Sequence, residues 1–148
     1  MEASPPTVGI IANPISARDI RRVIANATSL QIADRANIVL RVLACLHFLG
    51  VRHVLMMPEN GGIRGHVARN LQQAQNRGEA RFPEISYLDM PVTADTGDSQ
   101  RAARLMHQAG VSLIVVLGGD GTHRAVVAHC GDTPIAGVST GTNNAFPE

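Results

Sequence analysis

The run Gly118-Gly119-Asp120-Gly121-Thr122 contains the residue types that bind and transfer phosphate. It directly follows the apolar run Leu113–Leu117 and precedes a predicted helix over His123–His129. Glycine allows positive φ and close approach of the backbone to a ligand, and the free N–H groups of a new helix favour an anion such as phosphate. Asp120 would repel that phosphate unless it has a chemical role. That role would be to hold Mg²⁺ or to accept a proton from a hydroxyl that attacks a phosphoryl group.

An ordinary tight turn in which Asp120 caps the following helix is the alternative interpretation of this run. The buried strand before it and the helix after it favour a ligand site, because ligands bind in the crevice at the carboxyl ends of parallel strands. Arg124 is a candidate for bidentate phosphate binding, with a solvated surface arginine as the alternative. We therefore select Asp120 as the candidate catalytic residue and five others as nucleotide-binding: Gly118, Gly119, Gly121, Thr122 and Arg124.

A second polar turn, Ser139-Thr140-Gly141-Thr142-Asn143-Asn144, follows another predicted strand, Ile135–Val138. Its hydroxyl and amide groups suit phosphate, ribose or adenine, whereas a plain polar loop with asparagine in turn positions is the alternative. Two such turns after consecutive strands are expected to face one crevice. The nucleotide-binding candidates in this turn are Thr140, Gly141, Thr142, Asn143 and Asn144.

Two further turns lie next to predicted elements. Asn13-Pro14-Ile15-Ser16-Ala17 follows the first strand, so Asn13 is expected at the same sheet edge, as a nucleotide contact or as part of a simple turn. Gly61-Gly62-Ile63-Arg64-Gly65 has the composition of a phosphate loop, but no strand lies directly against it. For that segment, a turn that starts a helix is the favoured interpretation.

Strand-like and helix-like runs alternate along the chain, which predicts an α/β fold with a mainly parallel sheet of about five strands and helices on both faces. The strands are expected at Thr7–Ala12, Val54–Met57, Ile85–Met90, Leu113–Leu117 and Ile135–Val138. Helices are expected at Asp19–Asn26, at Asp34–Leu49, from Gly61-Gly62 to about Asn76, and around Ala102–Ala109 before Gly110. The strongest helix has Asp34 as its N-cap, Gly50 as its stop, and one apolar face made of Ala36, Val39, Leu40, Leu43, Leu46 and Leu49.

The composition fits one α/β domain and weighs against binding to duplex DNA. Of the 148 residues, 45% are hydrophobic and only 3% are aromatic, so the core must consist of aliphatic side chains, as in buried parallel strands. The formal net charge is +1, without a clear cationic face. Arg18, Arg21 and Arg22 lie close together and are expected to form a solvated helix face.

Several weak signals indicate a cytoplasmic protein. The first residues, Met1–Pro6, have neither the basic nor the apolar segment of a signal peptide, and no apolar run approaches the ~20 residues that span a bilayer. Cys45 and Cys130 lie outside any CxxC pattern and are expected to be reduced core thiols. His129-Cys130 has no further ligands at a zinc spacing, so no metal site is expected from protein ligands alone.

Together these motifs resemble a known superfamily. Gly118–Thr122 is similar to the GGDGT signature that unites NAD kinases, diacylglycerol kinases and sphingosine kinases. Asn13-Pro14 and the run Gly141-Thr142-Asn143-Asn144-Ala145-Phe146 also fit that superfamily. From Thr7 to Pro147, the chain most resembles the ATP-NAD-kinase-like proteins associated with acetoin catabolism, called the AcoX type.

The resemblance implies that residues 1–148 form a Rossmann-like nucleotide-binding domain, which a β-rich C-terminal domain follows in the family. Because the last predicted strand ends close to Glu148, we expect a fragment of a longer protein that is inactive alone. The resemblance also implies ATP and Mg²⁺ as cofactors and NAD as substrate, with Asp120 as the base that deprotonates the ribose 2′-hydroxyl. It implies a nucleotide partner, and NAD kinases commonly form homo-oligomers. The charge and the lack of a long apolar run lead us to expect no nucleic-acid partner and no membrane.

Two departures leave alternatives open. Asn143-Asn144-Ala145-Phe146 stands where NAD kinases usually carry a Leu-Gly-Phe-Leu-type sequence. His123-Arg124-Ala125-Val126 stands where lipid kinases carry Asn-Glu, which weighs against a diacylglycerol-type lipid substrate. The alternatives to an NAD-kinase-type phosphotransferase are a non-catalytic nucleotide-binding regulator of acetoin catabolism and a lipid kinase.

Overall fold

The computed structural model describes residues 6–14, 25–79 and 82–138, and within the first helix it describes side chains from residue 32 onward. Strands and helices alternate along the described chain, as the sequence predicts. They are β1 (Thr7–Ala12), α1 (Ala25–Phe48), β2 (His53–Met56), α2 (Ile63–Asn76), β3 (Glu84–Tyr87), α3 (Thr96–Ala109), β4 (Leu113–Leu117), α4 (Asp120–Val127) and β5 (Ile135–Val138).

The strands form one parallel sheet in the order β3-β2-β1-β4-β5. The chain runs outward from β1 to β3 and then returns to place β4 beside β1, so the strand order reverses between β1 and β4. In open α/β sheets a ligand crevice lies at such a reversal. Ala12 pairs with Leu117, so Asn13 and Gly118 leave the sheet side by side. The predicted α/β fold with a parallel sheet is confirmed.

Helices cover both faces of the sheet. α1 and α2 pack together on one face, and α3 and α4 pack together on the other. β1 alternates between the two cores, as strand geometry requires: Val8, Ile10 and Ala12 belong to the α1–α2 side, and Ile11 belongs to the α3–α4 side. β1 is therefore buried on both faces, which explains its unbroken apolar sequence.

The strand predictions hold for three strands and shift for two. β1, β4 and β5 have the predicted bounds, whereas β2 begins and ends one residue earlier than expected. β3 is Glu84–Tyr87 rather than Ile85–Met90, which corrects the prediction. The reason is that β3 pairs only with β2, and β2 ends at Met56, shortly before Pro58, which has no N–H to continue a ladder.

The strongest helix is longer than predicted. α1 begins at Ala25 rather than Asp34, so Asp34 is a helix-interior residue and not an N-cap. The segment 25–33 contains neither glycine nor proline, so nothing in it interrupts the helix. The predicted helix over Asp19–Asn26 overlaps α1 at its last two residues and otherwise lies outside the described residues. Gly50, with φ 96°, ends the helical region as predicted.

Two residues expected in the core lie on the surface instead. Leu49 follows the end of α1 and is 69% exposed. Cys45 is exposed, whereas Cys130 is buried among the α3–α4 residues as predicted. Cys45 lies two positions after the buried Leu43, and residues two apart on a helix point in different directions. The prediction that both cysteines are core thiols is therefore wrong for Cys45.

Among the described residues, no helix combines the length and the apolar character needed to cross a membrane. Gly62, with φ 111°, precedes α2, and Gly110, with φ 78°, ends α3. Both positions agree with the predicted turns, because positive φ is accessible to glycine at little cost.

Candidate functional site

The Gly118-Gly119 turn joins β4 to α4 at the point where the strand order reverses. Gly118 has φ 152°, and Gly119 is the N-cap of α4 with φ −95°. The helix begins at Asp120 rather than at His123, because the N–H of His123 donates to the carbonyl of Gly119 at 3.1 Å and closes the first turn. Asp120 is thus the first helical residue and makes no N-cap bond, which corrects the alternative of a capping aspartate.

The glycines of this turn differ in what the described chain requires of them. A Cβ on Gly118 would lie 2.9 Å from the Cβ of Thr122, so that position has an internal reason to be glycine. At Gly119 and Gly121 an added Cβ would meet nothing within 4 Å among the described residues. Within a helix, glycine lowers stability by about 1 kcal/mol relative to alanine, so Gly121 is also unfavourable for α4. Space beside these two residues is what a closely approaching ligand needs.

Asp120 and Arg124 lie one turn apart on the exposed side of α4. Positions four apart share a helix face. Within the described part of the chain, neither side chain takes part in a hydrogen bond or an ion pair. The pair therefore offers a carboxylate and a guanidinium to a molecule beside the turn.

Asn13 lies opposite Gly118 at the end of β1, but its side chain is buried. Its Nδ2 donates to the carbonyl of Asp95 at 2.9 Å and to Oγ of Ser99 at 3.1 Å. Its own carbonyl accepts from Nη1 of Arg35 at 3.2 Å. The structure therefore brings Asn13 to the predicted edge and directs both amide hydrogens into the protein. Whether Asn13 also contacts a nucleotide stays a prediction.

Buried polar residues concentrate at this same edge of the sheet. Asn13 follows β1, Glu59 follows β2, and Asp98 and Ser99 lie in the first turn of α3. These are the buried polar residues among those that the structure describes. Burying such groups costs free energy unless they are hydrogen-bonded. Their hydrogen bonds hold the loops at the carboxyl ends of the strands in fixed conformations.

Glu59 supplies the anion at the N-terminus of α2. Its Oε1 accepts from the N–H of Gly61 at 2.7 Å and of Ile63 at 3.3 Å, and its Oε2 accepts from the N–H of Arg64 at 2.6 Å. The N–H groups that would bind a phosphate are therefore already in use. The prediction of a turn that starts a helix is confirmed for Gly61-Gly62, and Glu59 is a residue that the sequence reasoning missed.

Asp98 organises the loop before α3 in a similar way. Its Oδ1 accepts from the N–H of Thr93 and from Nη2 of Arg101, at 2.8 and 2.7 Å, and its Oδ2 accepts from the N–H of Ala94 at 2.8 Å. Burial alone would raise the pKa of Asp98, but the hydrogen bonds outweigh it and lower that pKa. Ala94 has φ 59°, which few alanines adopt.

A local sequence signal for this loop existed. Asp95 caps α3 by accepting from the N–H of Gly97 at 2.9 Å, and Asp98 follows three residues later. A capping residue followed by an acidic residue at that spacing is typical of a helix start.

Several predicted site residues lie outside the described residues. These are Thr140, Gly141, Thr142, Asn143 and Asn144. Also outside the described residues are Arg18, Arg21 and Arg22, which were predicted to form a solvated helix face. β5 ends at Val138, and the N–H of Gly118 donates to the carbonyl of Val138 at 3.2 Å. The end of β5 therefore lies next to the Gly118-Gly119 turn. In the described ranges, no three His, Cys, Asp or Glu side chains are grouped so as to hold a metal ion.

Comparisons with known proteins identify the family of the chain. The family model of the ATP-NAD kinase N-terminal domain matches residues 8–148. Acetoin catabolism protein X of Cupriavidus necator is 66% identical over 143 residues. That alignment covers 97% of this chain and 40% of the relative, so the chain spans less than half of the relative's length. No solved structure matches the chain at a significant level.

Proposed function

The chain belongs to the family of ATP-NAD kinase N-terminal domains, and from this we propose that it is the nucleotide-binding part of an ATP-dependent phosphotransferase. The proposed acceptor is the 2′-hydroxyl of NAD or of a related diol. Membership of the family supports kinase-type phosphoryl transfer in general. It implies NAD and ATP as substrates and a divalent metal as cofactor. The choice of NAD as acceptor rests on the family and on the GGDGT signature.

The observation that supports the proposal best is the open space beside Gly119 and Gly121. No described neighbour explains a missing side chain at either position, and the exposed Asp120 stands between them. The polar, helix-starting turn lies where the strand order reverses, as ligand sites in α/β sheets do. The other glycine turn at this edge, Gly61-Gly62, is closed to phosphate by Glu59.

These residues fit the chemistry of phosphoryl transfer. The free N–H groups at the start of α4 would bind phosphate oxygens, and Arg124 would add a bidentate contact. ATP with Mg²⁺, when bound, supplies the phosphoryl group and offsets its negative charge. The carboxylate of Asp120 would accept the proton of the attacking hydroxyl. At the same time the hydroxyl oxygen would bond to the γ-phosphorus, and the bond from that phosphorus to ADP would break.

Replacing Asp120 by Asn in the full-length protein tests this role. The amide keeps the size of the side chain but is not a base, so kcat should fall by about 10²–10⁴-fold while the melting temperature stays close to the wild-type value. Asp132→Asn is the matched control, because Asp132 is also an exposed aspartate and its side chain is 97% exposed. Unchanged turnover in the Asp120 variant would refute the assignment of the base.

A non-catalytic nucleotide-binding regulator is the second candidate. The relative is called acetoin catabolism protein X, a name that specifies no reaction, which is compatible with this role. A regulator would bind NAD, NADP or ATP through the same turn without turnover, and Asp120→Asn would leave that binding intact. Phosphorylation of a lipid diol in place of NAD would instead favour a lipid kinase.

A further inference from the structure

Asn13 connects three elements at the point where the strand order reverses. It is the first residue after β1, its Nδ2 donates to the carbonyl of Asp95 and to Oγ of Ser99 at the start of α3, and its carbonyl accepts from Arg35 of α1. The two side-chain bonds join residues 82 and 86 positions apart in sequence. Asn13 is therefore placed to decide how α3 sits relative to the sheet edge.

We propose that Asn13 is a positioning residue: by anchoring the start of α3 to the end of β1, it fixes the crevice wall that faces the Gly118-Gly119 turn. The proposal rests on the proposed function, since it assumes that a nucleotide occupies this crevice. Ala12 pairs with Leu117, and paired strands lie about 4.8 Å apart. A movement at Asn13 therefore displaces one side of the crevice relative to Gly118.

The opposite side of the Asn13-Pro14 turn is held just as tightly. Nη1 of Arg35 donates to the carbonyl of Pro14 at 2.7 Å. The ring of Pro14 packs on Gly61, where an added Cβ would lie 2.6 Å from Cγ of the proline. Glu59 in turn holds the N–H of Gly61. The backbone at Asn13 is thus clamped between α3 on one face of the sheet and α1 with the α2 turn on the other.

The amide group of Asn13 is suited to this role because it is a double donor facing two acceptors. In Asn13→Asp, the nitrogen becomes an oxygen that faces the carbonyl of Asp95, which cannot donate, so at least that bond is lost. Losing a buried partner leaves the remaining polar group unsatisfied. We expect the start of α3 and the loop before it to move away from β1.

The test uses the full-length protein and three variants: Asn13→Asp, Ser99→Ala and the double substitution. Dissociation constants for NAD and ATP are measured at a temperature at which all variants are fully folded. We expect each single variant to weaken nucleotide binding, Asn13→Asp by about tenfold or more, and the double variant to be hardly weaker than Asn13→Asp. Such non-additivity is expected of residues in one hydrogen-bonded network. Ser112→Ala, an exposed serine before β4, is the control.

Hydrogen exchange without ligand provides a second, independent measurement. Asn13→Asp should speed exchange of the Thr93–Asp98 amides and of the Gly118–Asp120 amides, although these segments are distant in sequence. Normal affinity in Ser99→Ala, or additive losses in the double variant, would overturn the positioning role and point to direct ligand contact by Asn13. If the wild type binds no nucleotide, the proposed function fails. In that case, unchanged exchange of the Gly118–Asp120 amides in Asn13→Asp would overturn the anchoring role as well.

Discussion

The three glycines of the turn after β4 differ in the reason for their missing side chain. At one position the backbone conformation and the packing of the protein require glycine, whereas at the other two they do not. Gly118 has φ 152°, and Thr122 occupies the space that a side chain at position 118 would need. Gly119 has a backbone conformation open to any residue, and Gly121 is helical. No described neighbour accounts for the missing side chains at these two positions, and this is why we propose that a molecule approaches the turn there.

Alanine substitutions at these glycines should change stability in opposite directions, and the stabilising one should weaken nucleotide binding. Gly118→Ala should lower the free energy of unfolding by about 1–3 kcal/mol, because it forces strain and a close contact. Gly121→Ala should raise it by about 0.5–1 kcal/mol, as alanine favours the helix, yet weaken nucleotide binding. Urea unfolding and nucleotide titration of the full-length variants measure both effects. Unimpaired binding in Gly119→Ala and Gly121→Ala would remove the main support for a ligand at this turn.

Asp98 should make stability depend on pH in the acid range. Its pKa is below the ordinary value of 3.8, so its stabilising contribution is fully present above that value and is lost as pH falls through the folded-state pKa. At neutral pH, Asp98→Asn should lower the free energy of unfolding by about 1–3 kcal/mol. The difference from wild type should shrink below pH 3.8.

Urea unfolding from neutral pH down to about pH 3 measures this change. Asp89→Asn is the control, because Asp89 is exposed. A difference between Asp98→Asn and wild type that stays constant over the whole range would contradict the contribution of the Asp98 charge.

At the scale of elements, the contact between β1 and α3 depends on one small residue. Gly9 of β1 faces Met106 of α3, and a Cβ at Gly9 would overlap the Sδ of that methionine. Met106 is completely buried. The missing side chain in the middle of a central strand thus lets α3 approach the sheet closely, as glycine in strands often does.

Paired substitutions should reveal this complementarity. Gly9→Ala should cost about 1–3 kcal/mol through overpacking, and Met106→Ala about 2–5 kcal/mol through the cavity it leaves. The double variant should lose less than the sum, because the added methyl group fills part of that cavity. Gly9→Ala combined with Leu43→Ala, which lies in the other core, should be additive. Equal behaviour of both pairs in urea unfolding would contradict the packing argument.

At the scale of the whole molecule, the two faces of the sheet and its carboxyl edge have different roles. The faces bury aliphatic side chains against two pairs of helices. The buried polar residues of the described chain lie at the carboxyl edge of the sheet. Fully hydrogen-bonded buried groups make a structure rigid. A nucleotide site at this edge, as we propose, would therefore be preformed.

Ligand binding at this edge should stabilise the whole fold. A ligand present at about 100 times its dissociation constant adds about 2.7 kcal/mol to the free energy of unfolding. Thermal-shift titration of the full-length protein with NAD, NADP, ATP-Mg and a lipid diol analogue measures this. We expect stabilisation by ATP and by NAD or NADP, and its loss in Gly119→Val. A shift with the diol alone would favour a lipid kinase, and no shift with any ligand would contradict nucleotide binding.

The sequence by itself determined the properties that depend on short segments. Three strands were predicted with their observed bounds. For β1 and β4 the reason is that a strand buried on both faces is an unbroken aliphatic run, such as Leu113–Leu117. Gly50 and Gly110 marked helix ends, because positive φ selects glycine locally. The residue types of the Gly118–Thr122 run predicted a phosphate site, which stays a prediction.

Only the tertiary structure decided which turns lie together and which side chains are buried. The order β3-β2-β1-β4-β5 makes Asn13 and Gly118 neighbours, and no local pattern encodes that order. The side-chain amide of Asn13 donates a hydrogen bond to Ser99, which lies 86 positions later in the sequence. Cys45 is exposed because the packing of α1 turns it away from the core. Such features depend on contacts between distant segments, whose free energies are set by the packed fold and not by the residues next to them in the chain.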